Sequence, residues 1–514
     1  MKRLLIALTC VAVPASLCAE QWQTLGTRPM GMGGAFVAVA QGPIAQYWNP
    51  AGLVKSSANV SGMEIPVGVN AEFTGDIVKN ASQISKMSAS FKATQSAQQT
   101  GGKMDAEKMA AFAKTVSLMG DMNAPGKGAL VEVAGGANFK FSKVALSVNN
   151  FTSLGLNPFI DTTNIGLGAS AGVSGINMGS ISAAAPSDTA TRDTLASAIT
   201  TMGGLSAISN LICGSAGCLT GQNGGITNDQ TLANALYNQA ITAGQTPAQI
   251  TEAANTLSQY AVAVAPSIAA AGSGASYANN TSNLTVVGGS FTEIAAGYAW
   301  NVDKWLSGLS IGGNIKMVNG RTTVTTFQFL SQSKTADAFK LKDLKSSWRP
   351  AADVGFLWNV NAKYPKFPLR PRVGLVMRNI NSPSFDTNGA GKYDLDRQVR
   401  MGLALNPLKF WTLAMDMDLT KNKTPVNGFD SRELALGTEI NVINRKAFNI
   451  PLRAGIIKNM AESSSKMAYT AGTGLNLLFM HFDVSAVVSS EKTQLDNKNI
   501  PSKVGLAASF GLLF

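Results

Sequence analysis

VGLAASFGLLF, residues 504–514, puts Val504, Leu506, Ala508, Phe510, Leu512 and Phe514 on one face of an extended chain, with mostly Gly, Ala or Ser between them. Side chains alternate across a strand, so the stretch reads as a lipid-facing closing strand that ends on an aromatic residue. The same alternation also suits a core-facing strand of a soluble sandwich. The fold therefore turns on how often the pattern recurs.

It recurs throughout the carboxy-terminal half. In FWTLAMDMDLT, residues 410–420, Trp411, Leu413, Met415, Met417 and Leu419 oppose Thr412, Asp416, Asp418 and Thr420. Val399, Met401, Leu403 and Leu405 alternate with Gln398, Arg400, Gly402 and Asn406, and the rhythm returns at Glu433–Ile440. Upstream, Ile294, Ala296, Tyr298 and Trp300 alternate with Glu293 and Gly297, and Val354, Phe356, Trp358 and Val360 with Asp353 and Gly355. Each run matches the roughly 9–11 residues that a tilted membrane strand needs. Fifteen candidate strands run from 58–73 to 503–514, one of them at 162–181. Bacterial single-chain barrels carry an even number, so one candidate is surplus or two merge. The expectation is an all-β transmembrane barrel of about fourteen antiparallel strands, with sixteen as the next choice, over residues 58–514.

The amino terminus favours export. Met1-Lys2-Arg3 precedes an apolar run, Leu4–Val13, and a small-residue exit at Pro14–Ala19, the order of a secretory signal over residues 1–19. Cys18 suggests a lipoprotein, but bulky Leu17 before it argues otherwise. Removing Lys2 and Arg3 lowers the formal charge from +12 to +10. The remaining Lys and Arg are scattered along the sequence and form no finger-like or aromatic-interleaved block, which sets nucleic acid aside. No run of eighteen apolar residues follows, so a spanning structure has to be a closed barrel, in which every backbone polar group is paired.

Two regions break the strand rhythm and read as helical excursions from rim loops, near 80–122 and 191–265. The first carries Met104, Met109, Phe112, Ala113, Val116 and Met119, the second Ile250, Ala254, Leu257, Ala261 and Val264, both at helical spacing. Cys213 and Cys218 enclose four residues, a spacing suited to a disulfide loop in an oxidising envelope and not to CxxC redox chemistry. His481 is the only histidine, so a His-centred metal cluster has no ligand set and a Ser/His/Asp site has one option, with Asp483 on its strand face. No catalytic, metal or cofactor site is expected.

RPMGMGGAFVAVAQGPIAQYWNPAGL, residues 28–53, resembles the amino-terminal segment of the FadL-like long-chain fatty-acid and aromatic-hydrocarbon transporter superfamily. It also resembles the plasmid-transfer TraF family of outer-membrane proteins, as do Leu419–Lys423, Glu433–Glu439 and Pro451–Met460. The resemblance implies a hatch-like segment over residues 20–57, with Arg28, Gly31, Gly33, Gly34, Asn49, Pro50 and Gly52 as its candidate residues. Read physically, Gly31, Gly33 and Gly34 allow a compact path, Gly42-Pro43 turns it, and Asn49-Pro50 sets an extended approach to the first strand. An external periplasmic strap is the alternative. No GK[ST] ending follows Gly34, so this is no phosphate loop.

The polar strand faces nominate Glu293, Asp353, Arg372, Arg378, Arg400, Asp416, Asp418, Glu433 and Glu439 for the lumen, either paired with a plug or lining a wet channel. By resemblance, the first reading is passive transport of hydrophobic small molecules across the bacterial outer membrane. The second is an accessory role in a conjugation or secretion apparatus. A continuous pocket past the hatch favours the first; a packed lumen with an exposed helical insertion favours the second. Expected partners are outer-membrane lipid and the barrel-assembly machinery, with a hydrophobic ligand or a conjugation component according to the reading.

Overall fold

The computed structural model describes residues 17–18, 21–54, 61–84, 105–164, 182–213, 216–220, 225–272, 279–328, 345–387, 391–445, 447–495 and 498–513. All but Leu17 and Cys18 of the signal expected at residues 1–19, and most of the candidate strand at 162–181, lie outside them.

Fourteen strands close into a barrel in which every neighbouring pair is antiparallel. In chain order they are β1 Gly62–Thr74, β2 Gly128–Phe141, β3 Val144–Phe159, β4 Asn283–Asn301, β5 Leu309–Gln328, β6 Lys345–Asn359 and β7 Arg372–Arg378. The second half comprises β8 Gln398–Leu408, β9 Trp411–Asp418, β10 Glu433–Arg445, β11 Phe448–Asn459, β12 Ala468–Leu477, β13 Met480–Ser489 and β14 Lys503–Leu513. The fourteen-strand expectation holds, and none of these strands comes from 162–181. The stretch that opened the reading closes the barrel: β14 pairs with β13 and with β1, setting Leu506 opposite Val69 and Ala508 opposite Val67.

The period of two has a direct physical outcome. Ile65, Val67 and Val69 are exposed on the outside of β1 while Glu64 just before them and Pro66 between them are buried, and Leu506 is 64% exposed while Ala507 is buried. Lipid takes the apolar face, leaving the polar face to the lumen. One local departure is Val360, expected to continue the outer face of β6; it begins a one-turn helix, Val360–Lys363, and is buried.

The two rims differ. Hairpin turns at 142–143, 302–308, 360–371, 409–410 and 478–479 are short, and Gly62 and Leu513 pair at this same end. The opposite rim carries the long excursions. Between β1 and β2 lies α3 Ala106–Asp121, and between β3 and β4 lie α4 Thr189–Thr201, α5 Gly204–Cys213, α6 Asp229–Thr242 and α7 Pro247–Gly272. (Helices α1 and α2 precede β1 and belong to the lumen, described below.) Asp105, Asp188 and Asn228 cap α3, α4 and α6 by accepting backbone N–H groups. The stripe Ile250, Ala254, Leu257, Ala261 and Val264 is buried together with Met109, Phe112, Leu195 and Leu236, so the two excursions share one apolar core. Among the described residues, no helix is long and apolar enough to cross a membrane.

Candidate functional site: a plugged lumen

Residues 21–54 fold inside the barrel as α1 Thr27–Gly31, α2 Ala45–Trp48 and a 3-10 turn at Pro50–Val54. Helix α1 touches β11–β14 and β1, whereas the turn at 50–54 touches β4, β5 and β6, so the segment reaches opposite walls of the lumen. Its own centre is aromatic. Trp22, Phe36, Tyr47 and Trp48 pack mostly edge to face with centroids 5.6–6.1 Å apart, and Phe151 of β3 stacks on Tyr47 at 5.0 Å. Two of their polar ends are satisfied internally, Tyr47 Oη donating to Gln23 O and Trp48 Nε1 to Leu25 O, whereas the buried Trp22 Nε1 meets no acceptor among the described residues.

The candidate residues of the segment sit at its contacts with the wall. Arg28 Nε and Nη2 each donate to Glu439 at 2.8 Å, a bidentate pair. Gly31 O accepts from Thr470 Oγ1 at 3.0 Å. Gly33 and Gly34 both adopt the left-handed backbone region, and a Cβ at Gly33 would stand 2.9 Å from the carbonyl oxygens of Leu436 and Ile456. Fully buried Asn49 donates from Nδ2 to Val37 O and Phe356 O, and its Oδ1 accepts from Ala51 N. A Cβ at Gly52 would meet Ala40 O at 2.4 Å, so the backbone crosses itself there.

The wall is shaped to match, with glycine on β5 to β8, β10 and β11 where the segment passes, Gly402 of β8 lying against Ala38 N. An added Cβ would lie 2.3 Å from Pro50 at Gly312, 2.1 Å from Asn49 Oδ1 at Gly355, 2.9 Å from Val37 O at Gly374, 2.3 Å from Met32 O at Gly437 and 2.4 Å from Gly33 N at Gly455. These glycines form a track along which two backbones run in contact.

All nine candidate lumen residues fall on the inner face, where the structure joins them into groups. Lys316 pairs with Glu293 and Asp353 at 3.1 Å each, and Arg378 pairs with Glu293 at 3.0 Å. Arg400 pairs with Asp418 at 2.6 Å and Glu433 at 3.2 Å, and Lys503 reaches Glu72 at 3.0 Å and Glu433 at 3.8 Å. Glu439 also accepts from Arg453 at 2.7 Å, and Arg453 donates to Asp483 at 2.5 Å. Asp416 does something different: its Oδ2 accepts from the N–H groups of both Phe36 and Val37 at 2.8 Å, holding the segment by its backbone. Arg372 stands apart from the ion pairs and donates to Asn406 Oδ1 at 2.8 Å. Two arginines also lie over aromatic rings, Arg378 4.0 Å from the Tyr47 centroid and Arg400 4.8 Å from that of Trp22.

Lys316, Arg453 and Lys503 were absent from the candidate set, although Lys316 lies between Ile315 and Met317 and Arg453 between Leu452 and Ala454. The alternation that nominated the others applied to them equally. Asp483, considered with His481 as half of a hydrolytic pair, is engaged by Arg453. Cys218 is disulfide-bonded, while the side chain of Cys213 lies outside the described ones.

On its outer side the wall is indented. An apolar concavity of about 640 Å³ is lined by Leu403, Leu413, Leu436, Ile456 and Tyr469, with Gly437 and Gly455 among its residues. Behind those two glycines runs the backbone of Met32 and Gly33.

The fold is similar to several solved channels. The Ralstonia pickettii toluene transporter TbuX is 12% identical, over 96% of this chain and 99% of that one, with a TM-score of 0.40. The Pseudomonas putida toluene transporter TodX is 10% identical over 96% and 99%, at 0.42, and a Pseudomonas aeruginosa FadL homologue 9% identical over 96% and 98%, at 0.38. No curated protein sequence matches. The barrel itself rests on its strand pairing. The sequence family described as "F plasmid transfer operon, TraF, protein" matches residues 46–418, from the Asn49-Pro50 turn through the helical excursions to the end of β9, and the chain belongs to that family.

Proposed function

We propose that this is an outer-membrane barrel that passes hydrophobic small molecules by local displacement of residues 32–34. The observation that carries the reading is the lipid-side apolar concavity backed, through glycines alone, by the plug backbone at Met32 and Gly33. A hydrophobic solute resting there meets a stretch of wall that is backbone alone, where Gly437 and Gly455 face each other, so entry needs β10 and β11 to part at that pair as residues 32–34 move. The remainder of the segment is held by Arg28, Asp416 and Asn49, so movement is confined to the few residues between Arg28 and Phe36.

The packed lumen and the helical bundle favour a second reading, an accessory role in conjugation, which the family description also suggests. Uptake into liposomes across fatty acids, small aromatics and polar solutes separates the two. A built Cβ on Gly34 lies 3.9 Å from Ala435 Cβ, within disulfide reach, so Gly34→Cys with Ala435→Cys supplies a lock, with Gly34→Ala as the control for the strain any side chain meets in that left-handed backbone. Uptake of apolar solutes that stops on oxidation and returns on reduction supports passage. Absence of selective uptake in wild type and in the reduced variant places transport below the accessory role, for which the readout is plasmid-transfer frequency after removal of residues 189–272.

A further inference from the structure

Four lysines in three separate turns each stand immediately before an aromatic residue, as Lys304-Trp305, Lys363-Tyr364, Lys366-Phe367 and Lys409-Phe410. All four pairs fall in the short turns of one rim, and all eight side chains are exposed, Trp305 to 83%. Leu478 and Phe479, in another turn of the same rim, are 69% and 52% exposed. The charge there is one-sided: the described turns carry Lys143, Lys304, Lys363, Lys366, Arg370 and Lys409 against one acid, Asp303, whose Oδ1 is occupied by Gly308 N–H. Among the described residues none of the four paired lysines has a carboxylate partner, and Lys363 Nζ sits 5.5 Å from the Tyr364 centroid. The other rim mixes signs, with Asp121, Asp430 and Glu72 each paired to a lysine.

We infer that this rim binds the anionic phospholipid headgroups of the leaflet it faces. The turns lie just beyond strand ends whose outer side chains, such as Trp300 and Val442, are exposed to the membrane, so the aromatic rings sit at headgroup level, where amphipathic rings are favoured. A lysine beside each ring is then within reach of phosphate. Unpaired lysines in series around a rim attract an anionic surface additively, whereas zwitterionic headgroups offer them no net charge. In barrels of this kind short turns face the periplasm, which makes the partner the inner leaflet of the outer membrane. An acidic protein would satisfy the lysines but gives no reason for a ring at each one to lie at the lipid boundary.

The test uses the full barrel in mixed micelles with equal phosphatidylglycerol and phosphatidylcholine, reading retained lipid by native mass spectrometry. Wild type should retain phosphatidylglycerol at least about tenfold over phosphatidylcholine, with the preference falling sharply at 1 M salt, where screening extends only about 3 Å. The variant Lys304→Gln, Lys363→Gln, Lys366→Gln, Lys409→Gln alters exposed turn residues only and should show parity while keeping heat-modifiable migration. Parity in wild type, or an undiminished preference in the variant, overturns the inference. So does a variant that keeps its lipid preference and loses capture of an acidic periplasmic protein.

Discussion

The lumenal wall of the barrel and the helical bundle solve the same burial problem with opposite chemistry. Inside the barrel, Arg400, Glu439, Arg453 and Asp416 are almost completely buried and held by directional contacts of 2.5–3.2 Å. In the bundle, the core is mostly Ala, Leu, Ile, Val, Met and Phe with a few neutral polar residues such as Asn234 and Gln239, and its carboxylates are kept to helix caps and edges. The cause lies in the surroundings. Lipid claims the apolar face of every barrel strand, so the polar faces have only each other and the plug for partners. The helices are bathed in water on their outer faces and can turn apolar stripes inward. Ion pairs buried in this way fix register and position more than they add stability. That is what a plug needs and a packed bundle does not.

Deleting Ala508–Phe514 tests the frame on which both regions depend and should have the largest effect, abolishing insertion and heat-modifiable migration, because β14 alone joins β13 to β1. Normal insertion of the deletion would remove β14 from the closing position. Arg453→Leu comes next. It leaves Asp483 buried without its cation and Glu439 with Arg28 alone, and should cost about 3–5 kcal/mol, read from the urea midpoint of refolding in liposomes. Leu257→Ala, in the bundle core, should cost about 2–5 kcal/mol, yet only in the bundle. Its signature is faster proteolysis within residues 189–272 with unchanged barrel migration. Loss of both together would show that bundle and barrel unfold as one unit.

The sequence made the strands legible because lipid enforces a period of two over each crossing, and the same alternation placed Glu293, Asp353, Arg400 and Asp418 inside. Which partner each would take was not legible. Glu439 meets Arg28 and Asp416 meets the backbone of Phe36 and Val37, contacts between residues nearly four hundred positions apart that exist only once the barrel has closed around the plug. The glycine track hid for a similar reason. Gly355, Gly402 and Gly437 looked like ordinary small residues between apolar ones, and only their alignment across neighbouring strands shows a path. The lysine–aromatic pairs are the clearest case. Scattered charge was the correct reading of the chain, and closure of the barrel gathers that charge onto one rim.

The smallest predicted effect lies where bundle and barrel join. Asp161, just past the end of β3, accepts from Thr163 N and Oγ1, Asn164 N and Nδ2, and Thr281 N and Oγ1, while its own N–H donates to Ser282 Oγ. It thus clasps the two feet of the insertion between β3 and β4. Burial opposes ionisation of this carboxyl, but the hydrogen bonds from Thr163, Thr281 and Asn164 outweigh it and hold Asp161 well below the usual carboxylate range. A depressed folded value means that the clasp is complete above the unfolded value of about 3.9 and is lost only as pH falls through the lower folded one. Amide exchange at Thr163, Asn164 and Thr281, whose N–H groups donate to this carboxylate, should therefore stay protected from pH 7 to about 4, after correction for intrinsic rates, and lose protection progressively below that. Asp161→Ala strands the donors of Thr163, Asn164 and Thr281 and should cost about 1–3 kcal/mol of local protection at pH 7, with the difference from wild type shrinking in acid. Equal protection in the variant at pH 7, or wild-type opening already near pH 6, would mean that the feet are held by the bundle core and not by the clasp.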